Sequence, residues 1–115
     1  MYDKEKFLQI LKKDPVVPVV VIDDENDAVP LAQALLDGGC SVIEITMRTA
    51  AALPAVELIK EARLPISIGV GTVCNKSDYK KALSAGVDFI VSPGTDKKLL
   101  KIAKGSDVPY LSGVM

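Results

Sequence analysis

Histidine is absent from the 115 residues of this chain. That removes the side chain most used as a general base and metal ligand near neutral pH. Tryptophan is absent too, and aromatic residues make up only 4% of the sequence. The core must therefore be aliphatic, which suits the Val/Ile/Leu-rich strands of a parallel sheet. The two cysteines, Cys40 and Cys74, have neither metal-ligand spacing nor a CxxC pattern, so they read as free thiols of an intracellular protein. An excess of one charge is missing as well: 14 basic and 15 acidic residues leave a net charge of -1. The chain offers no electrostatic footprint for nucleic acid or an anionic membrane. Its lysines fall in helical stretches and read as solvated faces. No apolar run approaches the roughly 18–20 residues of a membrane-spanning helix. The first six residues mix both charge signs without an apolar stretch, so no signal peptide is expected and the cytoplasm is the expected compartment.

What is present is a 49% hydrophobic chain, enough for one domain over residues 1–115 with a sizeable core. The pattern alternates between helix and strand. Residues 3–12 read as a short amphipathic helix, with Phe7, Ile10 and Leu11 on one side. Residues 16–22 read as an apolar strand carrying Pro18, which requires an edge or a bulge. A helix over 25–37 places Ala28, Leu31, Ala32 and Leu35 at i, i+3, i+4 and i+7 and ends at Gly38-Gly39. The next strand spans 42–48, and a helix over 51–62 follows it. Further strands are expected at 66–70, 88–91 and from 108, with helices capped by Asn75 and Thr95 between them. Strands alternating with helices imply parallel pairing and right-handed crossovers. Two architectures use this alternation: a doubly wound open sheet of five strands, and the first four βα units plus strand five of a (βα)₈ barrel. A whole barrel needs roughly 200 residues or more.

The strand at 42–48 holds an acid among apolar and β-branched residues. Burying a carboxylate is costly unless it is paired, protonated or used. Side chains alternate, so Val42, Glu44, Thr46 and Arg48 share one face and Ile43, Ile45 and Met47 the other. Inside a barrel, desolvation would raise the Glu44 carboxyl toward the range a proton shuttle needs; the plainer alternative is a buried ion pair. Arg48 is the nearest cation, but four residues of extended strand separate the two by about 13 Å. They meet only if the chain turns after Thr46. Arg48 stands at the strand's C-terminal end, where barrel enzymes build their sites, and a guanidinium grips carboxylate or phosphate. It reads equally well as a surface arginine.

Gly69-Val70-Gly71-Thr72 starts like a dinucleotide loop, but Cys74 stands where a third glycine is needed. Ser67, Gly69 and Gly71 form a small face against which something bulky can lie, whether a ligand or a neighbouring side chain. Thr72 then offers a hydroxyl. Ser92-Pro93-Gly94 closes the fourth strand with a rigid turn. None of the expected strands holds a lysine, so the residues alone supply a proton shuttle and an anion clamp without a nucleophile.

Several segments together resemble one family: Pro18-Val19-Val20-Val21, Val42-Ile43-Glu44-Ile45-Thr46-Met47-Arg48-Thr49, Gly69-Val70-Gly71-Thr72-Val73, Ala85-Gly86-Val87-Asp88-Phe89-Ile90-Val91-Ser92-Pro93-Gly94 and Pro109-Tyr110-Leu111-Ser112-Gly113-Val114-Met115. The pattern is similar to the 2-keto-3-deoxy-6-phosphogluconate (KDPG)/4-hydroxy-2-oxoglutarate (KHG) aldolases. The resemblance implies a class I aldolase on a (βα)₈ barrel, free of metal and other cofactors, and a homotrimer in its full-length form. Its partners would be a 2-keto acid substrate and pyruvate, with neither nucleic acid nor membrane. By motif, Glu44 would be the catalytic acid/base, Arg48 and Thr72 would bind the pyruvyl carboxylate, and Pro93 would line the pocket. The family's Schiff-base lysine and phosphate site would lie beyond residue 115, leaving strands one and five as unpaired edges. Two other outcomes are a catalytically silent half-barrel that binds oxo-acids, and another phosphate-binding barrel such as an epimerase or a thiamin-phosphate synthase relative.

Overall fold

Five short strands, all parallel, lie side by side in sequence order. They come from a computed structural model that describes residues 4–114. The elements are α1 (Lys4–Lys13), β1 (Val19–Val20), α2 (Ala28–Asp37), β2 (Val42–Thr46), α3 (Ala52–Glu61), β3 (Ser67–Gly71), α4 (Lys76–Ser84), β4 (Phe89–Ser92), α5 (Lys97–Lys104) and β5 (Tyr110–Ser112). A doubly wound sheet reverses its strand order to place helices on both faces. Here the order never reverses, and successive right-handed crossovers carry α2 to α5 to the same side. The architecture is that of a barrel segment, open between β1 and β5.

The two faces pack differently. Ile43, Ile45, Ile68, Val70 and Ile90 point toward the helices and join Ala32, Val56, Ile59, Tyr79 and Leu99 in the main core. Each large aliphatic side chain buried this way contributes about 1.5–3 kcal/mol. On the concave side a smaller cluster joins Val42 and Phe89 to Phe7 of α1. The alternation expected along residues 42–47 is therefore observed, with Val42 inward and Ile43, Ile45 and Met47 toward the helices.

Several boundaries shift. β1 is only two residues long. Pro18 still accepts from the Glu44 N–H at 2.9 Å, but it has no N–H to give back, so pairing begins after it. The segment expected as one helix from residue 25 opens with a 3₁₀ turn, Glu25–Asp27, capped by the Asp24 carboxylate, which accepts from Asn26 N–H at 2.9 Å. Asn75 caps α4 as expected, accepting from Asp78 N–H at 2.8 Å. The cap of α5 is Asp96 instead of Thr95: its carboxylate accepts from Lys98 N–H at 2.6 Å. Thr95 is engaged instead with the residue that follows β5, donating its hydroxyl proton to the Gly113 carbonyl at 2.9 Å. The leader reading at Met1 to Asp3, the start of the first helix at residue 3, and the terminal Met115 lie outside the described residues.

Candidate active site

Glu44 occupies the middle of β2, in register with Val19 of β1 and Gly69 of β3. It is 6% exposed. Its carboxylate lies against Gly71, the last residue of β3. Burial pushes the Glu44 carboxyl above its ordinary range, and the positive charge of Arg48 partly opposes that rise. The chain leaves the strand directly after Thr46 and turns at Met47 and Arg48. That turn is what the sequence required before Arg48 could act on Glu44. Hydroxyls hold the end of β2 against β1: Thr46 donates to the Val20 carbonyl at 3.2 Å, and Thr49 donates to that of Ile22. A carboxyl placed this way can hold a proton at higher pH than a solvated one, so it can both deliver and take one.

Thr72 follows the last residue of β3 and is half-buried, with φ at 59°. A β-branched residue in the left-handed region is strained, and such strain concentrates at functional sites. Its surroundings hold it there. Met47 N–H donates to the Gly71 carbonyl at 2.8 Å, and the Cys74 thiol donates to the Thr72 carbonyl at 3.5 Å. Pro93 is exposed just after β4, in a turn pinned from both sides. The Ser92 hydroxyl donates to the Gly94 carbonyl at 2.8 Å and meets the Tyr110 hydroxyl at 2.5 Å. Gly113 N–H donates to the Ser92 carbonyl at 2.9 Å.

Because all strands run parallel, Arg48, Thr72 and Pro93 follow the C-terminal ends of β2, β3 and β4, and Glu44 lies two residues inside the first of these. The four residues singled out in the sequence therefore share one end of the sheet. The sequence did not reveal the floor beneath them. Phe89 lays its ring over Gly69 and meets Phe7 at a centroid distance of 5.4 Å. The available signal was the small stripe at Ser67, Gly69 and Gly71, which had to face something large. At Gly69 that object is a neighbouring ring.

The described strands hold no lysine. Lys60 sits on α3 and donates to the Gly86 carbonyl at 2.6 Å. Among the described residues no cluster of three or more His, Cys, Asp or Glu could hold a metal ion, and no helix is long and apolar enough to cross a membrane.

Residues 7–115 match the sequence profile of the family described as KDPG and KHG aldolase. The chain is 42% identical over 106 residues to the 2-dehydro-3-deoxy-phosphogluconate aldolase of Dickeya dadantii, covering 92% of this chain and 50% of that one. It is 43% identical over 99 residues to the Pseudomonas aeruginosa enzyme of the same name, covering 86% of this chain and 45% of that one. Among solved structures, the Zymomonas mobilis KDPG aldolase with 3-phosphoglycerate superposes with a TM-score of 0.89 at 40% identity, over 97% of this chain and 53% of that one. The KDPG aldolase of Legionella pneumophila, with pyruvate captured as a covalent carbinolamine intermediate, gives 0.86 at 39% identity, over 91% and 51%. The chain thus spans about half the length of the curated relatives it matches. With the sequential parallel sheet and the strand that carries Glu44 and Arg48, these matches show that the chain belongs to the KDPG/KHG aldolase family.

Proposed function

We propose that this chain carries the proton-transfer half of a class I aldolase site. The whole protein would cleave 2-keto-3-deoxy-6-phosphogluconate to pyruvate and glyceraldehyde 3-phosphate, and 4-hydroxy-2-oxoglutarate to pyruvate and glyoxylate. The observation that carries this reading is Glu44, an acid buried in the centre of a strand with its carboxyl pushed upward. Schiff-base chemistry needs such a group repeatedly. As a lysine amine adds to the keto carbon, the carbonyl oxygen must gain a proton, and the resulting hydroxyl must leave as water. In the cleavage step the C4 hydroxyl loses its proton while the C3–C4 bond breaks, and the enamine left behind is then protonated at C3. A carboxyl with a raised pKa serves each transfer in turn.

Arg48 and Thr72 would hold the substrate carboxylate, the first by charge and the second by its hydroxyl, while Pro93 lines the pocket wall. The Schiff-base lysine and the phosphate site belong, in this reading, to the half of the barrel that the relatives possess beyond the matched region. Catalysis then requires no metal, the compartment is the cytoplasm, and the assembly is a homotrimer.

Trapping tests the covalent step. The full-length protein, with both halves of the barrel, is incubated with pyruvate and borohydride, and its intact mass is measured. A reduced pyruvyl adduct supports the aldolase reading. Absence of an adduct on that full-length protein overturns it in favour of a catalytically silent barrel that binds oxo-acids. Glu44→Gln tests the proton carrier: pyruvate release from KDPG, followed in a coupled assay, should slow by about 10²–10⁴-fold, the usual worth of a positioned acid/base. Unchanged turnover would remove Glu44 from the mechanism.

A further inference from the structure

We infer that Gly71 is the seat of the Glu44 carboxylate: the missing side chain at the end of β3 lets the acid lie flat against the sheet on its concave face. A Cβ at position 71 would stand 2.6 Å from Glu44 Oε1, 2.9 Å from its carboxyl carbon and 3.3 Å from its Cγ. All three of the nearest atoms belong to one side chain. The backbone does not call for glycine here, because Gly71 is not among the positive-φ residues. Gly69, two residues earlier on the same face, differs: its Cβ would run into the Phe89 ring, which is packed in turn on Phe7. At Gly113 the obstacle is the backbone of Pro93. Gly71 is therefore the position on β3 where an added methyl displaces the far end of a flexible acidic side chain and leaves the fold able to stand.

A methyl at position 71 displaces the carboxylate away from β3. β3 blocks it on one side, and Phe89 fills the space over Gly69, so it moves out toward the open concave face. Neither neighbouring strand offers it a charge there. β1 presents Val19 in register, and β3 presents Ser67, Gly69 and Gly71 on the shared face. The charge that acts on it is Arg48, at the end of its own strand. Gly71 thus acts through Glu44 as a positioning residue. The catalytic consequence rests on the proposed role of Glu44, but the seat does not.

The test compares wild type, Gly71→Ala, Glu44→Asp and the double variant. Carboxyl ¹³C NMR titration reads the position of the acid, urea denaturation reads the clash, and pyruvate-forming turnover of the full-length protein reads catalysis. In Gly71→Ala the far-ultraviolet spectrum should be unchanged. The Glu44 titration midpoint should fall toward the ordinary carboxyl range as the group gains solvent. The stability lost by Gly71→Ala should return in the double variant, because aspartate is one methylene shorter and vacates the contested space. Turnover should drop by about 100-fold with KM nearly constant, as for a reacting group misplaced by roughly 1 Å. A shifted midpoint with full turnover supports the seat and removes Glu44 as the proton carrier. An unshifted midpoint in a folded Gly71→Ala protein overturns the seat. So does a Gly71→Ala protein that fails to fold and is not restored by Glu44→Asp.

Discussion

At the scale of the residue, Glu44 links function to stability through one carboxyl group. Burial raises its pKa in the folded protein, so the folded state holds this proton to higher pH than the unfolded chain does. Its contribution to stability is therefore best below the ordinary carboxyl pKa. It is lost progressively as pH rises from that value through the raised one, after which it levels off. Glu44→Gln has no such proton to lose. The stability difference between Glu44→Gln and wild type should grow in favour of the glutamine variant across that window and then become constant. Urea denaturation at a series of pH values measures it, and a difference independent of pH would mean that Glu44 titrates as a solvated acid. Glu44 was legible in the sequence because an acid in an apolar strand has few explanations. The role of Gly71 was not. The sequence shows a small residue on the right face, but only the packed structure shows that the space it leaves is filled by a carboxylate and not by ligand or ring.

At the scale of the element, most of the fold was legible, and the exceptions have local causes. Among the described residues, periodicity and capping residues mark each of the five α-helices and five strands, because βα units must bury one face of each. β1 is shorter than its apolar run because Pro18 breaks the ladder from one side, and Asp96 caps α5 because Thr95 is engaged with Gly113. The amphipathic first helix was expected, yet its destination was invisible. α1 crosses to the concave side and inserts Phe7 against Phe89 and Val42. It thereby props the ring that fills the space over Gly69, the residue in register with Glu44. Phe7→Ala should cost about 3 kcal/mol, the lower end for removing a buried phenylalanine, since the ring lies at the rim of a small cluster. It should also lower the Glu44 titration midpoint as Phe89 relaxes and water enters. A loss below about 1 kcal/mol in denaturation would mean that α1 is docked by its other contacts.

At the scale of the whole molecule, the convex side is closed by helices while the concave side is finished only at its centre. The middle strands are covered, with Val42 and Phe89 buried. The outer ones are not: Val19 is 62% and Leu111 52% exposed, and both belong to the terminal strands of the sheet. Among the described residues, each terminal strand also carries one row of backbone N–H and C=O groups without a strand partner, the usual template for association. The alternation of residue types places such apolar positions in the sequence, but it cannot say whether a neighbour covers them, since a closed and an open barrel share the same pattern. Two free edges of the same polarity can pair with one another in parallel when two copies face each other around a common axis. The 115-residue polypeptide should therefore show concentration-dependent mass above its 12.2 kDa monomer in sedimentation equilibrium. Val19→Lys with Leu111→Lys should return it to the monomer mass with an unchanged far-ultraviolet spectrum, because a charge on each edge must be desolvated for the edges to meet. A wild-type chain that stays monomeric at high micromolar concentration would mean that the exposed valine and leucine are too few, and the strands too short, to overcome the entropy of association.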